Sequence, residues 1–259
     1  MANWDARKEA LACELTELCR RIFTADEVTV SFVGSADDRR RFWEAAGDLG
    51  LPTLGKKAAH VLDVRATGAR KEGFVIPSNV SYVVRASAPS AADAGTIGCW
   101  NVATRAISYD YLWNEVRVKG GAYGCGFRRD AVGGRAFWSY RDPAVDATLA
   151  RYDGCAKWLA GWDGGADELD GYIVSTVAAH DAPVKPRALA RRQDVARFNE
   201  KKPGWREQIR AEELAVTADD VRALAAALAD DDPASGVCVF GGREALEASE
   251  IELELTELC

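Results

Sequence analysis

The side chains able to do chemistry are few in this chain of 259 residues. It has two histidines, His60 and His180, followed by Val-Leu-Asp-Val and Asp-Ala-Pro-Val respectively. Neither lies in an H-x-x-E-H spacing or its reverse. A hydrolytic zinc centre normally takes at least two imidazoles, so the chain is expected to hold no catalytic metal. Seven cysteines stand at 13, 19, 99, 125, 155, 238 and 259, and none forms a C-x-x-C pair. A nucleophilic thiol beside His180 is weighed against buried, inert cysteines, and the second reading is preferred. There is no G-x-S-x-G elbow and no Walker loop. Gly120-Gly-Ala-Tyr-Gly-Cys-Gly126 is glycine-rich, but a helix precedes it and a strand follows, the reverse of a phosphate loop. Its spacing alone leaves two readings open. The glycines end a helix and admit a close backbone approach, or they shape a functional site.

The elements that must position these residues follow from periodicity. Leu11, Leu15, Leu18 and Ile22 predict an amphipathic helix over 5–23. Val28–Val33 reads as a strand and 36–49 as a helix, and 50–72, rich in turn formers, as a linker. A second unit begins near 73, with strands at Phe74–Pro77 and Val80–Arg85. A long helix over 95–117 carries the stripe Val102, Ala106, Tyr109, Trp113, Val116. Gly120-Gly121 stops it. A hairpin over 122–128 and 135–141 turns at Gly133-Gly134. Helices follow from Pro143 and over 166–179, 187–199, 204–214 and 218–229, the last opened by a capping box at Thr217. Val237–Phe240 closes the set.

A hairpin demands antiparallel pairing, and the helices are too clustered for a repeating βαβ series. The fold class is therefore α+β: a mostly antiparallel sheet with helices packed on one face. The domains read as 1–50, a linker 51–72, and 73–259. The hexapeptide Glu-Leu-Thr-Glu-Leu-Cys occurs at 14–19 and again at 254–259; six residues make no repeat architecture.

Composition narrows the function classes. Net charge is −7, with 33 basic and 40 acidic residues. Nucleic-acid binding needs clustered cations and is disfavoured; the basic stretch Arg187–Arg197 reads as a solvated helix face. No apolar run of membrane-spanning length is present, so no membrane partner is expected. Charges crowd residues 1–9, where a secretion signal would be apolar. Unpaired cysteines and frequent Ala, Arg and Asp point to a bacterial cytoplasm. Most of the eight Trp are expected in the core or in pocket walls.

Tyr111-Leu-Trp-Asn-Glu-Val-Arg-Val-Lys-Gly-Gly-Ala-Tyr-Gly124 resembles the C-terminal signature of pitrilysin-family peptidases, R-x-x-G-G-A-Y-G. The Leu-Trp before it and Phe137-Trp-Ser-Tyr-Arg-Asp-Pro143 after it are similar to the presequence-protease and falcilysin branch. Phe74–Val83 and Tyr152-Asp-Gly154 extend the likeness over about 70–240.

The resemblance implies a zinc metalloendopeptidase of four related α/β domains, closing as a clamshell on unfolded peptides. Zinc belongs to the N-terminal catalytic half, and this chain holds no cofactor. Residues 1–50 are then the tail of the third domain, and those from about 73 form the fourth, non-catalytic one. The signature Arg and Tyr map onto Arg117 and Tyr123 as catalytic residues, with Gly121 and Ala122 beside them in substrate binding. Arg117 sits at a helix C-terminus, which suits a cation. Tyr123 leaves the Gly-Gly break on a strand, so the two donors can converge on one carbonyl oxygen and stabilise its developing charge. Lys119 reads as solvent-facing. The partners implied are the catalytic half and unfolded peptide substrates. The competing reading is a stand-alone peptide-binding or assembly subunit that pairs with a separate catalytic chain.

Overall fold

In a computed structural model, residues 4–24, 28–50, 68, 70–229 and 235–258 are described. His60 and most of the stretch read as a linker lie outside the described residues.

The chain forms two compact units, one of residues 1–65 and 183–202, the other of 66–182 and 203–259. The first contains α1 (Trp4–Ile22), α2 (Ala36–Ala46) and α6 (Pro186–Phe198), none with a buried residue. Ser35 opens α2 with a capping box, its hydroxyl accepting from Asp38 N while the Asp38 carboxylate accepts from Ser35 N. Val28–Val33 is not a strand. Its β-branched residues favour extended backbone, but none of them enters a ladder, so propensity alone built no sheet there.

The second unit is a six-stranded mixed sheet in the order β3-β4-β2-β5-β1-β6. Its strands are β1 (Lys71–Val75), β2 (Ser81–Ser87), β3 (Gly124–Arg129), β4 (Arg135–Asp142), β5 (Gly236–Gly241) and β6 (Glu254–Glu257). The pairings β2/β4, β2/β5 and β3/β4 are antiparallel, while β1 runs parallel to both β5 and β6. The sheet is thus mostly antiparallel, with a parallel edge that periodicity does not reveal. β6 is formed by the first four residues of one copy of the repeated hexapeptide, whose other copy is helical within α1.

One face of the sheet turns inward through Val83, Phe127, Phe137 and Val239. Against it lie α3 (Ile97–Ala106), a π-helical continuation (Ile107–Val118) and α4 (Val145–Ala160). Phe137 stacks on Tyr152 at 5.1 Å and meets Phe127 at 4.8 Å. Burying each such side chain contributes roughly 1.5–3 kcal/mol. α5 (Ala166–His180) and α7 (Trp205–Leu214) pack on α3, and α8 (Ala218–Ala223) and α9 (Ala225–Ala229) on α4. α10 (Arg243–Glu247) follows β5. Thr217 forms the capping box expected of α8, and Leu224 separates α8 from α9.

The long helix departs from its expected face. Tyr109 and Trp113, placed in the apolar stripe at α-helical spacing, are 59% and 40% exposed. From Ile107 onward the helix widens, and the buried set becomes Ile107, Tyr111, Leu112 and Val116. Ile107 to Leu112 and Tyr111 to Val116 are steps of five, the period of i→i+5 hydrogen bonding. Trp4 and Trp43 are exposed as well, and among the eight Trp only Trp100 and Trp162 are fully buried.

Candidate functional site

The widened helix ends in a device built from two glycines. Gly121 has φ +82, a left-handed conformation that closes helices at low cost only in glycine. Its N–H donates to the Arg117 carbonyl at 2.9 Å, and Ala122 N–H to the Val116 carbonyl at 3.2 Å. Each bond spans one residue more than in the Schellman ending of an α-helix, as the wider turn requires. Gly120 is needed for space: a Cβ there would stand 2.3 Å from the Val116 carbonyl oxygen and 2.7 Å from Arg151 Nη1. π-helical segments are rare and recur at functional sites.

Arg117 comes off the last turn of this helix, half-buried, with Cζ 3.8 Å from the centre of the Trp113 ring. Among the described residues its guanidinium forms no hydrogen bond or ion pair. Lys119 points to solvent and pairs with Glu115. Ala122 is buried and Gly121 exposed.

Tyr123 then emerges 59% exposed. Its ring meets Tyr140 edge-on at 5.5 Å, and Arg141 Cζ lies 5.6 Å from its centre. Tyr123 N–H donates to the Arg141 carbonyl at 3.3 Å. Its hydroxyl has no partner among the described residues. Tyr140 in turn stacks with Trp138 at 6.0 Å. β3 is glycine-rich beneath these rings: a Cβ on Gly124 would be 2.3 Å from Tyr140 Cε1, and one on Gly126 2.6 Å from Trp138 Cζ2.

The thiols are not arranged for attack. Cys125 donates to the Leu112 carbonyl at 3.2 Å, and burial pushes its thiol up to about 11. Burial, reinforced by the charges of Asp220 and Asp93, pushes Cys99 up to about 12. Cys13 and Cys19, expected to be buried, are exposed on α1. His180 Nδ1 lies 3.3 Å from the buried Glu213 carboxylate, which also accepts from Asn101 Nδ2 at 2.7 Å. Among the described residues no group of three or more His, Cys, Asp or Glu is placed to hold a metal ion. No helix among them is long and apolar enough to cross a membrane.

Sequence reasoning singled out Arg117 and Tyr123 but gave no role to Trp113, Tyr140 or Arg141.

Residues 71–236 match the family described as the PreP C-terminal domain. The chain belongs to this family of presequence-protease C-terminal domains. The chain is 30% identical over 182 residues to Protein HypA of Clostridium perfringens, covering 70% of this chain and 18% of that protein. It is 37% identical over 121 residues to presequence protease 1 of Arabidopsis thaliana, covering 46% of this chain and 11% of the relative. The chain thus spans less than a fifth of the length of these relatives. Among solved structures, the peptidase M16 inactive domain from Pseudomonas fluorescens aligns at TM-score 0.56 and 15% identity, covering 83% of this chain and 53% of that one. Pitrilysin aligns at TM-score 0.54 and 13% identity over 99% of this chain and 34% of the pitrilysin chain. These two likenesses establish the fold, a pitrilysin-type α+β domain.

Proposed function

We propose that this chain is the non-catalytic C-terminal module of a zinc metalloendopeptidase that degrades unfolded peptides. It closes the substrate chamber and presents Arg117 and Tyr123 to the carbonyl of the scissile bond. The zinc and the general base belong to the catalytic half, where they generate the attacking hydroxide. This chain's described residues offer no set of ligands for the metal.

One observation carries the reading. Arg117 and Tyr123 are a guanidinium and a phenol without hydrogen-bond partners among the described residues, on either side of the Gly-Gly break. Two structural explanations lose support. A helix-capping Arg117 would bond the last carbonyls; its guanidinium bonds none among the described residues, and the carbonyls of Val116 and Arg117 take the N–H groups of Ala122 and Gly121. A core Tyr123 would be buried, and it is 59% exposed. Tyr123 donates a neutral O–H and Arg117 a charged fork, and both interactions strengthen as negative charge grows on the carbonyl oxygen. Gly121 lets a peptide approach the backbone closely, with Ala122 behind it.

The test is Arg117→Ala and Tyr123→Phe in the full-length protein, with turnover of an unfolded peptide measured beside thermal stability. Each variant should lose on the order of 10²–10³ in kcat with its melting temperature preserved. Normal turnover in both variants would remove the reading.

A further inference from the structure

The backbone beside Tyr123 carries a second device. β2 and β4 pair from Ser87 opposite Arg135 to Tyr82 opposite Tyr140, and then Ser81 stands opposite Asp142. Arg141 is left without a partner on β2: it is the extra residue of a β-bulge. Its φ is +50, which costs a residue with a Cβ roughly 1–3 kcal/mol. Such a conformation persists only where its surroundings over-determine it. Here they do. Asp142 is wholly buried and accepts from Ser139 Oγ at 2.6 Å, Thr148 Oγ1 at 2.8 Å and Ala144 N–H at 2.9 Å.

The strained residue faces the site just described. Its carbonyl accepts the Tyr123 N–H, and its guanidinium carbon lies 5.6 Å from the Tyr123 ring centre. Arg141 is exposed, and its guanidinium bonds no carboxylate among the described residues. Its sequence neighbour Asp142 is already taken up by three donors. In a chain of net charge −7, Arg141 is a cation beside Tyr123 that no carboxylate among the described residues compensates.

We propose that Arg141 is a positioning and specificity residue: the bulge holds its guanidinium beside the Tyr123 ring, where it fixes that ring and binds a carboxylate of the peptide. The proposal rests on the peptide-cleaving reading above and names the substrate class for that site, peptides with Asp or Glu flanking the scissile bond. The chemistry follows from the fork. A planar guanidinium matches a carboxylate bidentately, whereas an amide of the same shape offers one acceptor and no charge. A cation beside the ring also holds the ring against rotation through its quadrupole.

The experiment uses the full-length protein and two peptides that differ only in Glu or Gln beside the cleaved bond. Wild type should prefer the Glu peptide by about tenfold in kcat/KM, chiefly through KM, as expected for a charge-assisted hydrogen bond. Arg141→Gly is the decisive variant, because glycine accepts φ +50 and the bulge is kept without strain. It should melt at the wild-type temperature or above, and the Glu-to-Gln ratio should fall to about 1. Arg141→Lys keeps the charge without the fork and should retain an intermediate ratio. A wild-type ratio of 1, or the same ratio in Arg141→Gly as in wild type, overturns the proposal. Failure of the underlying reading is distinguishable. It appears as undiminished kcat in Arg117→Ala and Tyr123→Phe, whatever the ratio does.

Discussion

The guanidinium carbon of Arg117 sits 3.8 Å from the centre of the Trp113 ring, four residues earlier on the same helix. This pair is the closest cation–ring contact of the described residues, and it belongs to the exposed side of the helix. Removing the ring should therefore separate orientation from stability. Trp113→Ala should change the melting temperature by no more than a few degrees. The exposed stack is worth about 0.5–1 kcal/mol. In the full-length protein its turnover should drop, by less than that of Arg117→Ala. Equal turnover in Trp113→Ala and wild type would show that the stack does not aim Arg117.

The two glycines of the helix ending should fail differently. Gly121→Ala meets mainly conformational strain, since a Cβ there has only Pro143 Cγ at 3.4 Å. A loss of about 1 kcal/mol is expected. Gly120→Ala drives its Cβ into the Val116 carbonyl and Arg151, so backbone has to move. Overpacking of that kind costs roughly 1–3 kcal/mol. Chemical denaturation of the two variants should place Gly120→Ala as the less stable.

Asp93 supplies a pH-dependent term. Its burial would raise the carboxyl pKa, but hydrogen bonds from Trp100 Nε1, Gly95 N–H and Arg129 outweigh it and hold the pKa below 3.8. A depressed carboxyl stabilises the fold above the unfolded pKa, and the contribution disappears as pH falls through the folded one. Asp93→Asn should thus be less stable than wild type at pH 7, by about 1–3 kcal/mol. The gap should narrow once the pH drops below about 3.9. Thermal melts from pH 7 to pH 2.5 would read it, and a pH-independent gap would contradict the assignment.

Thiol labelling offers a test of burial. At pH 8 a thiol raised to about 11, such as Cys125, is ionised to only about one part in a thousand. Cys13 and Cys19 are exposed. A disulfide reagent should label these two quickly in the folded protein, while Cys99 and Cys125 react only on unfolding. Fast labelling of Cys125 would show that its bond to the Leu112 carbonyl opens readily.

Much of this was readable beforehand, for identifiable reasons. The hairpin announced itself through the Gly133-Gly134 turn between two short β-like segments, and Thr217 through its capping box, because these signals are local. Arg117 and Tyr123 stood out only by likeness to a known motif. The parallel β1–β6 edge could not be read, since four of its residues repeat a hexapeptide that is helical elsewhere in the same chain. Nor could Arg141, because nothing local announces that an arginine in a strand will take φ +50. The burial of Ile107 and Leu112 in place of Tyr109 was hidden for a third reason: this helix does not keep the 3.6-residue period.

That widened helix also makes the position of Arg117 a matter of phase. Successive residues of an α-helix are turned by about 100° from one another. Were Ile107–Val118 to wind as an ordinary α-helix, the residues near its end would present different faces to the sheet. Leu112 and Val116 could not both stay in the core with Ile107 and Tyr111. A one-residue deletion within this segment would therefore act less like the loss of a side chain than like a shifted gear. The apolar teeth could re-engage, but Arg117 would leave the axis in another direction.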